Sequence, residues 1–224
     1  MGAAGRQMAE TVILYGYRYS VYHRIARMAL HEKGVSCDIV DVDPFADDVP
    51  DTYREIHPFG RVPALRHGAF TLYETAAITR YVDAAFDGPA LTPTAPQAAA
   101  RMAQVIAIID SYGYWPLVRQ VFAHRIFRPA EGAAGDEAEI AAGLEAAGPV
   151  LAALEAIAAE GLVLNGRDVT LADCQLAPMI AYFTMAEDGA AAMEPFPALT
   201  HWWARACILP SLTETDPGLP DTPA

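Results

Sequence analysis

The chain has 224 residues, of which 53% are hydrophobic and 19% charged; this excludes intrinsic disorder and leaves one or two domains open. Lys and Arg number 15 against 28 Asp and Glu, a net charge of −13. Such a field repels phosphate backbones and anionic lipid, so neither nucleic-acid nor membrane partners are expected.

At the N-terminus, Met1 to Glu10 has no apolar core and does not read as a signal peptide. No run approaches the ~20 apolar residues of a membrane span. Cys37, Cys174 and Cys207 are too widely spaced for a CxxC pair and odd in number, which excludes a disulfide framework. A soluble, reduced, cytoplasmic protein is the expectation.

Thr11–Tyr15 is a short apolar run suited to a buried strand. From Ser20 to Lys33, apolar Val21, Ile25, Met28 and Ala29 recur at helical spacing, and Gly34 suits a left-handed helix end. Val35–Val42 reads as a second strand, parallel to the first through the helical crossover. An irregular loop rich in Asp and Pro follows. Strands at Val62–Arg66 and Phe70–Tyr73 flank the His67-Gly68 turn as a hairpin, and Thr75–Phe86 is helical. Beyond a proline-rich linker no strand signal remains. Gln97–Phe127 predicts a long helix bent at Pro116, Glu137–Glu160 another with a kink at Pro149, and Thr170–Glu187 and Ala198–Ile208 two more. The expected domains are α/β over 10–87, a linker over 88–96, an all-helical unit over 97–210 and a frayed tail over 211–224.

Ser20 sits where the first strand's loop becomes a helix. It can cap that helix, or direct its hydroxyl at a ligand. No GxSxG surrounds any of the four serines, which disfavours a serine hydrolase. In His57-Pro58-Phe59-Gly60-Arg61-Val62-Pro63, Pro63 cannot donate to a ladder, so it marks a strand start or edge, and its X-Pro bond is a candidate for cis. Glu74 and Thr75 put a carboxylate and a hydroxyl at a helix start, either as a cap or as receptors for a ligand's ammonium and carboxylate. Arg18, His23 and Arg24 stand close enough in sequence to oppose the global charge near Ser20.

Taken together, Tyr15-Gly16-x3-Ser20-x6-Arg27, Pro58-x-Gly60-Arg61-Val62-Pro63-x-Leu65 and Glu74-Thr75-x-Ala77-Ile78 resemble the N-terminal pattern of the glutathione S-transferase superfamily. Gly166-x3-Thr170-x2-Asp173 resembles the capping box of that family's helical half. The resemblance implies a thioredoxin-like domain followed by an all-helical domain, in a homodimer. It implies glutathione as co-substrate, with no other cofactor and no metal. Ser20 falls at the place of the catalytic hydroxyl of serine-type members. Val62, before a cis Pro63, would pair with the cysteinyl backbone, Arg61 would meet a glutathione carboxylate, and Glu74 and Thr75 would hold the γ-glutamyl end. His57 stands where the family often has Asn.

The implied activity is activation of the glutathione thiol for conjugation to a small hydrophobic electrophile. A glutathione-dependent isomerase or dehalogenase, and a non-catalytic binding protein of the same shape, are the alternatives. Tyr15 and Tyr17 share the Ser20 loop and are rival hydroxyls. Tyr112, Tyr114, Trp115 and Phe122 are aromatic candidates for the electrophile pocket, Tyr112 and Trp115 foremost.

Overall fold

The computed structural model describes residues 10–46 and 51–220. The expectations for residues 1–9, for part of the Asp- and Pro-rich loop and for the last four residues lie outside the described residues.

Apolar Val12–Gly16 forms β1, Val21–Glu32 forms α1 and Asp38–Asp41 forms β2, which pairs parallel to β1 as expected. β2 is shorter than the sequence suggests because all four of its residues are exposed, leaving it as a sheet edge. Ala64–His67 (β3) and Phe70–Tyr73 (β4) form the hairpin, and β3 pairs antiparallel with β1. The sheet order is therefore β2-β1-β3-β4. Leu14 of β1 and Leu65 of β3 are partners in register, fully buried and clustered with Ile25 and Met28 of α1 and Ile78 of α3, Thr75–Ala85. This is the expected thioredoxin-like arrangement. One element was not foreseen: Asp51–Ile56 is a short helix, α2, inside the stretch expected to be irregular. Its Tyr53 is buried and donates its hydroxyl to Arg61 O at 2.7 Å, so a tertiary contact fixes a segment too short to hold helix by itself.

The helical half opens with α4, Pro96–Ile108. Its continuation adopts the wide i→i+5 pattern over Ile109–Gly113 and again over Trp115–Phe127, then ends in the short α5, Arg128–Ala130. The bend expected at Pro116 is thus a change of hydrogen-bond pattern that starts upstream of the proline. α6 is Glu137–Ala159, α7 Leu171–Phe183, α8 Glu187–Met193, α9 Pro197–Ala206 and α10 Pro210–Thr213. At 23 residues, α6 is apolar enough to match a membrane span by length and composition, contrary to the sequence reading. Here it packs against the wide helix and α9, and it carries Glu145 and Glu155 within its span. Glu155 accepts the first two N–H groups of α9, Ala198 at 3.0 Å and Leu199 at 2.8 Å.

Two joints fix the halves against each other. Lys33, the sole lysine, is buried and reaches Asp83 at 3.3 Å and Pro89 O at 2.9 Å, while Asp83 also accepts Leu91 N–H at 2.8 Å. Leu91 O in turn accepts Leu171 N–H of α7 at 2.9 Å. The second joint corrects the expected frayed tail. Ser211, Leu212 and Thr215 are buried, and α1 holds the segment through Arg24 to Leu212 O (2.9 Å) and Arg27 to Thr215 O (3.2 Å). Arg18 adds a bond to Pro217 O at 3.1 Å. Prolines did not loosen this tail because three arginines satisfy its carbonyls.

Candidate functional site

A cleft of about 440 Å³ opens where the sheet domain meets the wide helix. Its floor begins at the end of β1. The His23 ring lies so close over Gly16 that an added Cβ would fall 2.3 Å from it, so only glycine lets the chain leave the strand there. The loop then turns back, Ser20 N–H bonding Tyr17 O at 2.9 Å. Ser20 caps α1: its backbone is extended (φ −69°, ψ 121°) and its Oγ accepts His23 N–H at 3.3 Å. Capping uses the oxygen as acceptor. The hydroxyl proton stays free to be donated into the cleft, at the positive end of a 12-residue helix.

His23 itself is buried with its pKa lowered to about 4, burial being the main cause and Arg27 the second. Arg24 is buried too, bonded to the tail and 3.2 Å from Asp216. Neither supplies the local positive charge expected of them beside Ser20. The lowered His23 value has a consequence for stability. Between the unfolded value of 6.5 and about 4, the unfolded chain binds a proton that the native His23 refuses, so stability falls as pH falls through that window. The loss amounts to about 3 kcal/mol at its full extent. Urea midpoints measured from pH 7 to pH 4 should fall less steeply in His23→Gln than in the parent; parallel curves would refute the assignment.

The loop before β3 forms the next wall. Gly60 turns at φ +59°, its N–H on His57 O at 2.9 Å, and the Val62-Pro63 bond is cis as expected. Arg61, Val62 and Pro63 line the cleft with His57. The His57 ring is buried, 4.8 Å from that of Tyr73, its Nδ1 unpartnered and its pKa lowered by burial first, with Glu74 opposing. Glu74 stands at φ +71°, rare and costly for a side chain other than glycine, and makes no capping bond to α3. Its carboxylate and buried Thr75 face the same space. Ordinary capping therefore does not account for Glu74.

The far wall is the wide helix. Asp110, Tyr114, Val118, Arg119, Phe122, Ala123 and Phe127 line it, returning every four or five residues as an i→i+5 helix requires. Tyr112 and Trp115 do not; they are 69% and 60% exposed and lie outside the cleft lining. Tyr114, one and two positions from them, turns inward where they turn to solvent. Among the rival tyrosines, Tyr15 turns into a small buried cluster with Tyr53, ring centroids 6.0 Å apart, and is not a cleft residue. Tyr17 does line the cleft, but burial first and then Asp43 and Glu131 raise its pKa, which weakens it as a donor. Sequence reasoning missed Asp110, which accepts Gln175 Nε2 at 2.6 Å, and Arg119. Among the described residues no cluster of His, Cys, Asp and Glu could hold a metal ion.

The arrangement offers two unlike halves: polar groups at Glu74, Thr75, Asp110 and Arg61, and rings at Tyr17, Tyr19, Phe45, Phe122 and Phe127, with Ser20 in the same lining. Comparison with known proteins points to one family. The family model for the glutathione S-transferase N-terminal domain matches residues 14–90, and that for the C-terminal domain residues 137–205. Glutathione S-transferase Z2 of Arabidopsis thaliana is 33% identical over 217 residues, 94% of this chain and 93% of its own. Glutathione S-transferase 3 of Zea mays is 30% identical over 216 residues, covering 94% and 95%. Among solved structures, glutathione S-transferase III in apo form superposes with a TM-score of 0.81 at 28% identity, covering 96% of this chain and 99% of its own. The theta-class enzyme of Xanthomonas axonopodis pv. citri, with glutathione bound, gives 0.76 at 29% identity, covering 92% and 97%.

Proposed function

The chain belongs to the glutathione S-transferase superfamily, and from that premise we propose that it conjugates glutathione to small hydrophobic electrophiles, with Ser20 as the group that activates the thiol. The observation that carries this reading is the Ser20 hydroxyl: its oxygen accepts the helix N–H, its proton is unassigned, and it lines the cleft with both the polar and the aromatic groups. A thiol of ordinary pKa near 8.5 is mostly protonated at neutral pH. One hydrogen bond to the developing thiolate, with the field of the α1 terminus, lowers that value by about two units.

In this reading the Val62 backbone holds the cysteinyl unit as an added strand, and Arg61 meets a carboxylate. Glu74 and Asp110 receive the γ-glutamyl ammonium and Thr75 its carboxylate. Binding supplies orientation, and the sulfur makes the new bond. Glutathione is consumed, which separates conjugation from isomerisation. A homodimer and a cytoplasmic location belong to the same proposal; the exposed aromatic side chains of Phe59, Tyr112 and Trp115 are the kind of surface a second copy would cover.

An ultraviolet titration of the thiolate in the glutathione complex tests the reading. A bound thiol titrating well below free glutathione supports it; tight binding with an unshifted thiol would convert the protein into a binding module. For the polar half, Glu74→Ala should weaken glutathione by about 1–3 kcal/mol, the cost of removing a charged hydrogen-bond partner. Glu74→Gly is the control, because it tolerates φ +71° without strain and so loses binding without losing stability. Calorimetric affinities equal to the parent's would remove Glu74 from the site.

A further inference from the structure

The aromatic half of the cleft contains a cation. Arg119 projects from the wide helix into the lining, its guanidinium 6.0 Å from the centroid of the Phe45 ring. Tyr114 is its polar neighbour in the same lining, and the nearby guanidinium counters the upward push of burial on that hydroxyl. Of the other cationic side chains nearby, Arg61 is the one assigned above to the glutathione carboxylate, and the rest are engaged within the protein. Arg18 lies 5.4 Å from the Tyr19 ring and donates to Pro217 O, Arg24 and Arg27 hold the tail, and Arg125 on the same helix pairs with Glu137 and Asp188. Among the described residues Arg119 forms an ion pair with none.

Around this cation the walls are flat. Tyr17 meets Phe45 at 6.1 Å and 82°, Tyr19 meets Phe127 at 5.4 Å and 68°, and Phe122 lies 5.9 Å from Phe127. Edge-on and tilted rings of this kind leave faces against which a further aromatic ring packs. Arg119 stays open to solvent, and what it offers is geometry: the planar guanidinium binds a carboxylate in two parallel hydrogen bonds that a point charge does not make. In a chain of net charge −13 an anionic substrate gains nothing from the general field. Its attraction must be local, and Arg119 is where the aromatic half provides it.

We propose that the electrophile this cleft selects is a flat aromatic compound bearing a carboxylate, and that Arg119 is the residue that selects it. The proposal rests on the transferase reading and deepens it. With an aryl isothiocyanate as probe, the glutathione thiolate bonds to the central carbon and the C=N electron pair moves to nitrogen. Nitrogen takes a proton from solvent, nothing leaves, and the carboxylate is unchanged.

The test compares 4-isothiocyanatobenzoate with phenyl isothiocyanate, each kcat/KM divided by the uncatalysed rate with glutathione. The parent should favour the carboxylate by about tenfold or more, and Arg119→Met should lower that preference by about tenfold to a hundredfold, the range of a charge-assisted bidentate contact. Arg119→Lys should keep part of it, since the charge remains and the fork is lost. Calorimetry with S-(4-carboxybenzyl)glutathione and S-benzylglutathione reads the same preference without turnover. Equal treatment of the two probes by the parent, or a preference unmoved in Arg119→Met, overturns the proposal while leaving the transferase reading intact. Discrimination between the two conjugates without turnover of either probe would keep the carboxylate subsite and sink the transferase reading. Failure to bind either conjugate would overturn both.

Discussion

Replacing Ser20 with Ala should raise the thiol pKa of bound glutathione by about one to two units and cut turnover at pH 6.5 by about 10- to 100-fold, the worth of one hydrogen bond to a charged acceptor in a partly desolvated site. The deficit should shrink as pH rises, because above the thiol's unassisted pKa the nucleophile forms without help. That convergence distinguishes activation from a general disturbance of the site. Ala also removes the α1 cap, at about 1 kcal/mol of stability. Ser20→Gly, which costs a cap only a few tenths, separates the two effects: its pH–rate profile should match that of Ser20→Ala while its unfolding midpoint stays near the parent's. A pH-independent deficit in both variants would assign Ser20 to the helix alone.

The largest stability effect is expected at a residue outside the cleft. Asp173 is buried, and three donors converge on its carboxylate: Thr170 N–H at 2.8 Å, Thr170 Oγ at 2.7 Å and Trp202 Nε1 at 2.7 Å. Burial pushes its pKa up, and the bonds from Thr170 and Trp202 hold it back. Asp173→Ala leaves all three donors dry, together with a void beside a fully buried indole. The expected cost is about 3–5 kcal/mol, a large share of a typical domain's 5–15 kcal/mol. Asp173→Asn keeps shape and part of the bonding and should lose about 1–3 kcal/mol, which makes it the variant to purify if Ala does not fold. Denaturant midpoints measure both. Since Asp173 is no part of the cleft lining, kcat/KM per folded molecule should match the parent's, and an Asn variant as stable as the parent would contradict the account.

How much of this was legible in the sequence depends on the range of the interaction. β1, α1 with its Ser20 start, the β3–β4 hairpin and the start of α3 were all visible as local patterns, and the structure has them within a few residues. The Thr170–Asp173 box was visible too, being complete within four residues. Its third partner, Trp202, was not, since nothing in a helix sequence says which distant carboxylate an indole will meet. The same reason hid α2, which Tyr53 fixes by reaching Arg61, and the docking of the tail, whose contacts bridge 188 and 199 positions. For the aromatic residues of the far wall the difficulty was phase. Composition offered Tyr112, Tyr114, Trp115 and Phe122 and put Tyr112 and Trp115 first, but on the wide helix only Tyr114 and Phe122 turn to the cleft. Arg119 gave no sequence signal, as an arginine between helical apolar residues ordinarily reads as solvated surface.

The arginine contacts between α1 and the tail set an order on the making of this protein. A thioredoxin-like half emerging first from the ribosome would ordinarily be free to fold while the rest is still being translated. Here the Arg24 guanidinium ends up buried with its Nη2 on Leu212 O, and that carbonyl does not exist until nearly the whole helical half has been synthesised. Until then that guanidinium stays in water, and the central helix of the first half lacks the cover that the tail and Tyr182 later provide. The fold, although it divides into two halves by architecture, is completed as one unit from its last-made residues inward.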